Sequence, residues 1–188
     1  MPEALGRVVV RPAQAGDDDA IWRILEQVIA AGDTFALAPG TPREEALGWW
    51  AGRRYVACAG ERVVGSYVIK PNQPGLGAHV ANGSFVVDPA ARGCSVGRRM
   101  GEHALVEAAA AGFRALQFNL VVASNEPAVA LWRSLGFEVV GRLPEAFHWR
   151  RERYVDAVVM RRSLEPATGG AATLRSVDGG PVSPGPRS

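Results

Sequence analysis

The chain of 188 residues is 47% apolar and sets 21 basic against 19 acidic side chains, for a net charge of +2. That is the composition of a soluble globular domain with a sizeable core, without the basic stripe interleaved with aromatics that nucleic-acid binding requires. No apolar run approaches the ~20 residues that span a bilayer and no basic-then-apolar leader opens the chain, so no membrane partner and a cytoplasmic location are expected. Two cysteines, Cys58 and Cys94, are too few for a disulfide framework or a metal cluster, and no metal is expected.

In chain order, residues 7–11 alternate toward a first strand, and Asp17, Asp18 and Asp19 then supply caps and dipole-favourable acids. Ile21, Trp22, Ile24, Leu25, Val28 and Ile29 recur at helical spacing behind them. Thr41, Pro42 and Glu44 offer the cap, proline and acid of a second helix that carries Ala46, Leu47, Trp49 and Trp50. Residues 55–58 and 63–69, separated by Gly60, Glu61 and Arg62, read as a hairpin, and 72–77 as a loop. A strand over 78–87 leads to Asp88, read as fixing the turn before Pro89, and then to a helix over about 96–111 with His103 on its surface and Gly112 past its end. A strand over 115–122, a helix over 127–135 closed by Gly136, and strands over 137–140 and 154–160 complete the set.

This order predicts an α/β (α+β) fold with a mixed sheet, antiparallel at the hairpin and locally parallel within 78–140. Residues 1–164 form one domain on this reading. The Gly/Pro/Ser-rich stretch 165–188 is expected to be a disordered tail.

The segment from Phe85 to Met100 runs from an apolar strand through a glycine-bearing, arginine-rich turn into a helix. Amides left unpaired at a helix start form an anion site, and Arg92, Arg98 and Arg99 there oppose the helix dipole unless an anion neutralises them. No G-x-G-x-x-G occurs, and Gly93 to Gly97 lacks the Gly-Lys-Ser/Thr ending of a P-loop, which argues against a nucleotide fold of either kind.

Arg92, Ser95 and Gly97 occupy the fixed positions of an Arg/Gln-x-x-Gly-x-Gly/Ala pattern, and Asn125, Ala128, Leu131, Trp132, Leu135, Gly136 and Phe137 those of Asn-x-x-Ala-x-x-Leu-Tyr-x-x-Leu-Gly-Phe. With these two motifs the chain resembles, over about residues 7–164, the GNAT superfamily of acyl-CoA-dependent N-acetyltransferases. The resemblance implies a central, mostly antiparallel sheet of about seven strands flanked by helices, with a parallel pair at the cofactor cleft. It implies acetyl-CoA as acyl donor, its pyrophosphate held by Arg92, Gly93, Cys94, Ser95, Val96, Gly97 and Arg98, with backbone of Val87 and the side chain of Asn125 along the pantetheine arm. The other reading of Asn125 is an N-cap for the following helix, and the coenzyme role is preferred. Ser95 stands where the family has glycine, which a negative φ tolerates and a positive φ does not favour.

Trp132 stands where many family members place a tyrosine that protonates the leaving thiolate, and an indole N–H is too weak an acid for that. His79, Glu145 and His148 are candidate bases, none singled out. Asn82 and Asn119 interrupt strands otherwise suited to a core, and each buried amide requires a partner. They are expected to line an acceptor pocket with Phe85 as its apolar wall, or to bridge neighbouring strands. Similar asparagines occur in the subgroup acetylating small cyclic imino acids, so a small-molecule acceptor is expected. A non-catalytic acyl-CoA sensor and a protein N-terminal acetyltransferase remain alternatives. The resemblance also admits a homodimer.

Overall fold

The computed structural model describes residues 6–164, and the expected tail over 165–188 lies outside them. β1 (Val8–Pro12), β2 (Arg53–Ala59) and β3 (Arg62–Pro71) pair antiparallel in chain order, and the continuous buried runs of β2 and β3 mark strands covered on both faces. Between β1 and β2 the chain forms α1 (Asp18–Ala31), ended by left-handed Gly32, and α2 (Arg43–Trp49). Pro42 and not Thr41 is the N-cap of α2, while the Thr41 hydroxyl donates to Ala38 O.

After β3 come β4 (Val80–Val87), α3 (Val96–Ala110), β5 (Ala115–Val122), α4 (Glu126–Ser134), β6 (Glu138–Trp149) and β7 (Arg153–Ser163). The seven strands form one sheet in the order β1-β2-β3-β4-β5-β7-β6, in which β4–β5 is the one parallel pair. The strand–helix–strand unit from β5 to β6 yields no second parallel pair, because β7 inserts between them antiparallel to both. β6 is far longer than the expected 137–140. Its pattern is broken by a bulge around Pro144 and Glu145 (φ 49°), where Asp156 accepts from the Glu145 amide and pairs with Arg142.

One face of the sheet is covered by α1 and α2, with Ile21, Ile24, Leu25, Val56, Val68 and Val86 in its core. Trp50 is fully buried there, its indole N–H donating to Ser66 Oγ, whereas Trp49 is 44% exposed under the Lys70 ammonium. The other face is covered by α3 and α4. Register stacks Tyr55 on Tyr67 and Tyr67 on Phe85, an aromatic ladder across β2, β3 and β4. The ladder's polar ends reach α3: Tyr55 donates to Glu107 (2.7 Å), and the Tyr67 hydroxyl lies 2.6 Å from His103 Nδ1. His103 is therefore a half-buried partner, not the surface residue its helical position suggested.

The two motifs interlock where α4 crosses α3. A Cβ at Gly97 would stand 3.1 Å from Leu131, and one at Gly101 2.5 Å from Leu135 and 3.1 Å from the Trp132 ring. Gly101→Ala should destabilise the fold by about 1–3 kcal/mol, read in a thermal melt as a Tm drop of roughly 3–10 °C.

Asp17 is 8% exposed, forms two hydrogen bonds to the Arg11 guanidinium (2.7 and 2.9 Å) and accepts from the Gln14 amide. The Arg11 hydrogen bonds hold its carboxyl below the ordinary value against the opposing effect of burial. A depressed folded value contributes stability that is complete above the ordinary carboxylate pKa and is lost as pH falls through the folded one. Denaturant titrations from about pH 6 to about pH 2 should show that loss, and Asp17→Asn should flatten the acid limb of the profile.

Candidate active site

β4 ends in a buried turn. Asp88 is 4% exposed; its carboxylate accepts from the Ala90 amide (2.9 Å) and pairs with Arg62 (2.8 Å). Burial raises its pKa, but the Arg62 and Ala90 hydrogen bonds outweigh that and leave it below the ordinary value. The anchored strand end then turns through Gly93 (φ 80°) and Ser95 (φ 59°) into α3.

Ser95 thus adopts the left-handed conformation that its serine was not expected to need, at a cost of about 1–2 kcal/mol. The geometry leaves the amides of Ser95, Val96, Gly97 and Arg98 without acceptors among the described residues, and the Ser95 side chain does not cap them. No acid stands in the first turn of α3. The exposed guanidinia of Arg92 and Arg99 likewise have no partner among the described residues, so helix dipole, amides and cations combine into one uncompensated anion cradle. Arg98 departs from the expected set: its guanidinium turns away to Ser134 Oγ (2.8 Å) and Glu102 (3.8 Å), leaving its amide to the cradle. The half-buried Cys94 thiol reaches only Arg92 O, at 3.9 Å.

Parallel pairing between β4 and β5 spans Val80–Ala115, Ala81–Leu116 and Asn82–Gln117, and ends there. From Gly83 to Val87 the β4 backbone has no β5 partner, and β5 bulges at Asn119 and Leu120 in its pairing with β7. The sheet is therefore split in its middle. Phe85 lies on the α3/α4 face of this split, stacked on Tyr67 and in contact with Phe118 and Trp132 at centroid distances of 5.6 and 4.9 Å. By strand alternation Asn82 points to the opposite face, so Phe85 does not form a common wall with it.

The asparagines find their partners in a chain of amides. Asn82 Nδ2 donates to Gln117 O (3.4 Å), Gln117 Nε2 to Asn119 Oδ1 (2.9 Å), and Asn119 Nδ2 to Asn72 Oδ1 (2.7 Å). Asn119 is exposed rather than buried. Gln117 and Asn72 escaped the sequence reading, although Gln117 shares a strand face with Asn119 at spacing i, i+2.

Of the candidate bases, His79 is exposed at the closed end of the parallel pair, with Nδ1 3.0 Å from Leu76 O and roughly 13 Å of strand before Gly83. Glu145 is exposed in the β6 bulge. His148, exposed and stacked on Tyr154 at 4.5 Å, borders a cleft of about 580 Å³. That cleft is walled by Phe35 and Leu37 from the α1–α2 connection, Leu120 from the β5 bulge, and Phe147 and Arg151 from β6 and the turn after it.

Trp132 is 8% exposed and packs among Phe85, Phe118 and Phe137, offering the split no acid. Asn125 caps α4, its Oδ1 accepting from the Ala128 amide (3.3 Å), while its Nδ2 has no partner among the described residues. Ser95→Gly should relieve the strain, raising stability by about 1 kcal/mol and leaving coenzyme A affinity equal or tighter. Arg92→Ala should weaken that affinity by about tenfold, both measured by calorimetry.

No helix among the described residues is long and apolar enough to cross a membrane. The profile of the Acetyltransferase (GNAT) family matches residues 25–137. A GCN5-related N-acetyltransferase from Kribbella flavida superposes with a TM-score of 0.79 at 43% identity, covering 87% of this chain and all of that one. A phosphinothricin acetyltransferase from Sinorhizobium meliloti, solved with acetyl-CoA, shares the fold with a TM-score of 0.74 at 23% identity, over 86% of this chain and 94% of that one. The N-acetyltransferase aca1 of Schizosaccharomyces pombe is 38% identical over 109 residues, which make up 56% of this chain and 52% of aca1. The chain thus spans about half the length of that relative. Cradle, interlocked second motif and split sheet agree with these likenesses, and the chain belongs to the GNAT acetyltransferase family.

Proposed function

We propose that this acetyltransferase moves the acetyl group of acetyl-CoA to the nitrogen of a small amine or amino/imino-acid-like acceptor by direct attack. The observation that carries the reading is the split between β4 and β5, with the anion cradle following the end of β4 and Leu120 of the β5 bulge forming part of the cleft wall. Four acceptorless amides with Arg92 and Arg99 fit a diphosphate in number, charge and direction. Residues 83–87 of β4 have no β5 partner and so leave backbone groups for the amides of a pantetheine arm, and Asn125 Nδ2, at the start of α4, is a further donor without a partner among the described residues. Acetyl-CoA supplies the activated thioester.

The chain's part is alignment. The cradle fixes the donor from the α3/α4 face, Asn82 and Asn119 with their amide partners stand on the opposite face of the sheet, outside the cleft wall, and holding amine and carbonyl together supplies the larger share of the acceleration. Trp132 excludes water from the thioester side without donating a proton, so the leaving thiolate is protonated by solvent. The amine must shed its proton to water or to His148, the candidate base that borders the cleft.

Residues 1–164 constitute the catalytic domain on this reading, acting in the cytoplasm without nucleic-acid or membrane partners, as a monomer or a homodimer. A structure named as a ribosomal-protein-alanine N-acetyltransferase from Brucella melitensis, 25% identical with a TM-score of 0.75, keeps a protein N-terminus as the second reading. The walls of the cleft, contributed by two connections, favour the small acceptor.

Thiol release from acetyl-CoA across a panel of small amines, imino acids and short peptides tests the assignment. Turnover is expected on a small acceptor, with Asn82→Ala and Asn119→Ala raising its KM by about tenfold at unchanged coenzyme affinity. Tight acetyl-CoA binding without turnover on any acceptor would point instead to a sensor.

A further inference from the structure

The connection between β6 and β7 is built against its own residue preferences. Trp149 pairs with Arg153, and between them Arg150 and Arg151 adopt φ of 50° and 58°, the left-handed dihedrals that hairpin turns usually assign to Asn-Gly. Two arginines in these positions cost about 1–2 kcal/mol each. The surroundings hold them there. The Glu152 amide donates to Trp149 O (2.9 Å), and the Arg150 amide donates to Gly32 O at the end of α1 (2.7 Å). Backbone strain kept in place in this way is a mark of function.

The two arginines differ in what neutralises them. Arg150 pairs with Asp33 (3.1 Å), lies over the Trp149 ring and sits at the C-terminal end of α1, where a cation is favoured. Structure alone accounts for it. Arg151 has no side-chain partner among the described residues, yet it forms part of the cleft wall. The remaining wall is apolar apart from His148 and Arg150, and no carboxylate belongs to it; Glu152 follows in the turn but lies outside the wall. The cleft is therefore an apolar cavity with an uncompensated guanidinium at its edge, next to the Leu120 bulge that borders the open sheet.

We propose that Arg151 binds the carboxylate of the acceptor, making the substrate class an α-amino or imino acid whose apolar side group packs against Phe35, Leu37 and Leu120. This rests on the acetyl-transfer reading and deepens it. A guanidinium pairs a carboxylate through two parallel hydrogen bonds, which fixes orientation as well as position. The carboxylate and side group would then be anchored toward the turn, leaving the nitrogen free to face the split.

The experiment compares L-leucine, L-phenylalanine and L-proline with their primary amides as acceptors for the full chain, following thiol release from acetyl-CoA. The acids should exceed the amides in kcat/KM by about tenfold or more, a preference that shrinks with added salt. Arg151→Gly removes the guanidinium while relieving the turn, so it should fold at least as stably as the parent and lose the preference for acids over amides. Equal use of acid and amide by the parent protein, or a preference that survives in Arg151→Gly, overturns the proposal. If no amine is acetylated, calorimetric titration of the coenzyme A-saturated protein with the same acids and amides decides the matter separately. Acid binding that disappears in Arg151→Gly upholds the carboxylate site while transfer fails, and no difference between acid and amide overturns the site.

Discussion

The parting of β4 from β5 after Asn82–Gln117 is the constraint on which the rest of the molecule turns. A central sheet ordinarily pairs every inner backbone group, and unpaired ones are costly when dry. Here an aromatic wedge accompanies the opening: Phe85, Phe118 and Trp132 meet on the α3/α4 face. A side chain at Gly83 would already stand 3.0 Å from both phenylalanines. On the far side the β5 bulge at Asn119 and Leu120 bends the second lip away and turns Leu120 into the cleft. On the proposed function, donor and acceptor approach one opening from opposite faces, which a closed sheet would forbid.

The helices are arranged around that opening by contact and not by propensity alone. Leu131 rests on Gly97 while Leu135 and Trp132 rest on Gly101, so the second motif is in large part the complement of the first. Its separation in the chain from the cradle reflects one β-strand and two turns, after which α4 returns to the bare face of α3. Asn125, as cap of α4, is placed by the same contact.

Most of the fold was legible because period and punctuation agreed. Residues 115–122 were delimited to the residue, and both motif helices to within one position, by alternation or helical spacing with glycines just beyond their ends. β6 was truncated in the reading because Pro144 and a left-handed Glu145 break its alternation, although the strand continues through the bulge. The cradle was readable from its arginines, whereas the left-handed angle at Ser95 was not, since serine carries no signal for it and the surrounding fold imposes the conformation. Phe85 and Asn82 stand three apart in one strand, so alternation alone puts them on opposite faces, and grouping them in one pocket overlooks that period. The cleft beside Leu120 left no local pattern: Phe35, Leu120 and Phe147 come from three distant segments that only the tertiary fold assembles.

The open lips of the sheet carry a consequence beyond catalysis. Residues 83–87 amount to a vacant strand position in the interior of the sheet, and a bound pantetheine arm would fill it as an eighth, non-peptide strand. On the proposed function, coenzyme occupancy is then part of the fold's own stability: saturation at a hundred times Kd adds about 2.7 kcal/mol, a large fraction of what holds a domain of this size together. The abundance of such a protein in a cell would then rise and fall with its acyl-CoA pool, because molecules without coenzyme are less stable and a larger fraction of them is unfolded and open to proteases.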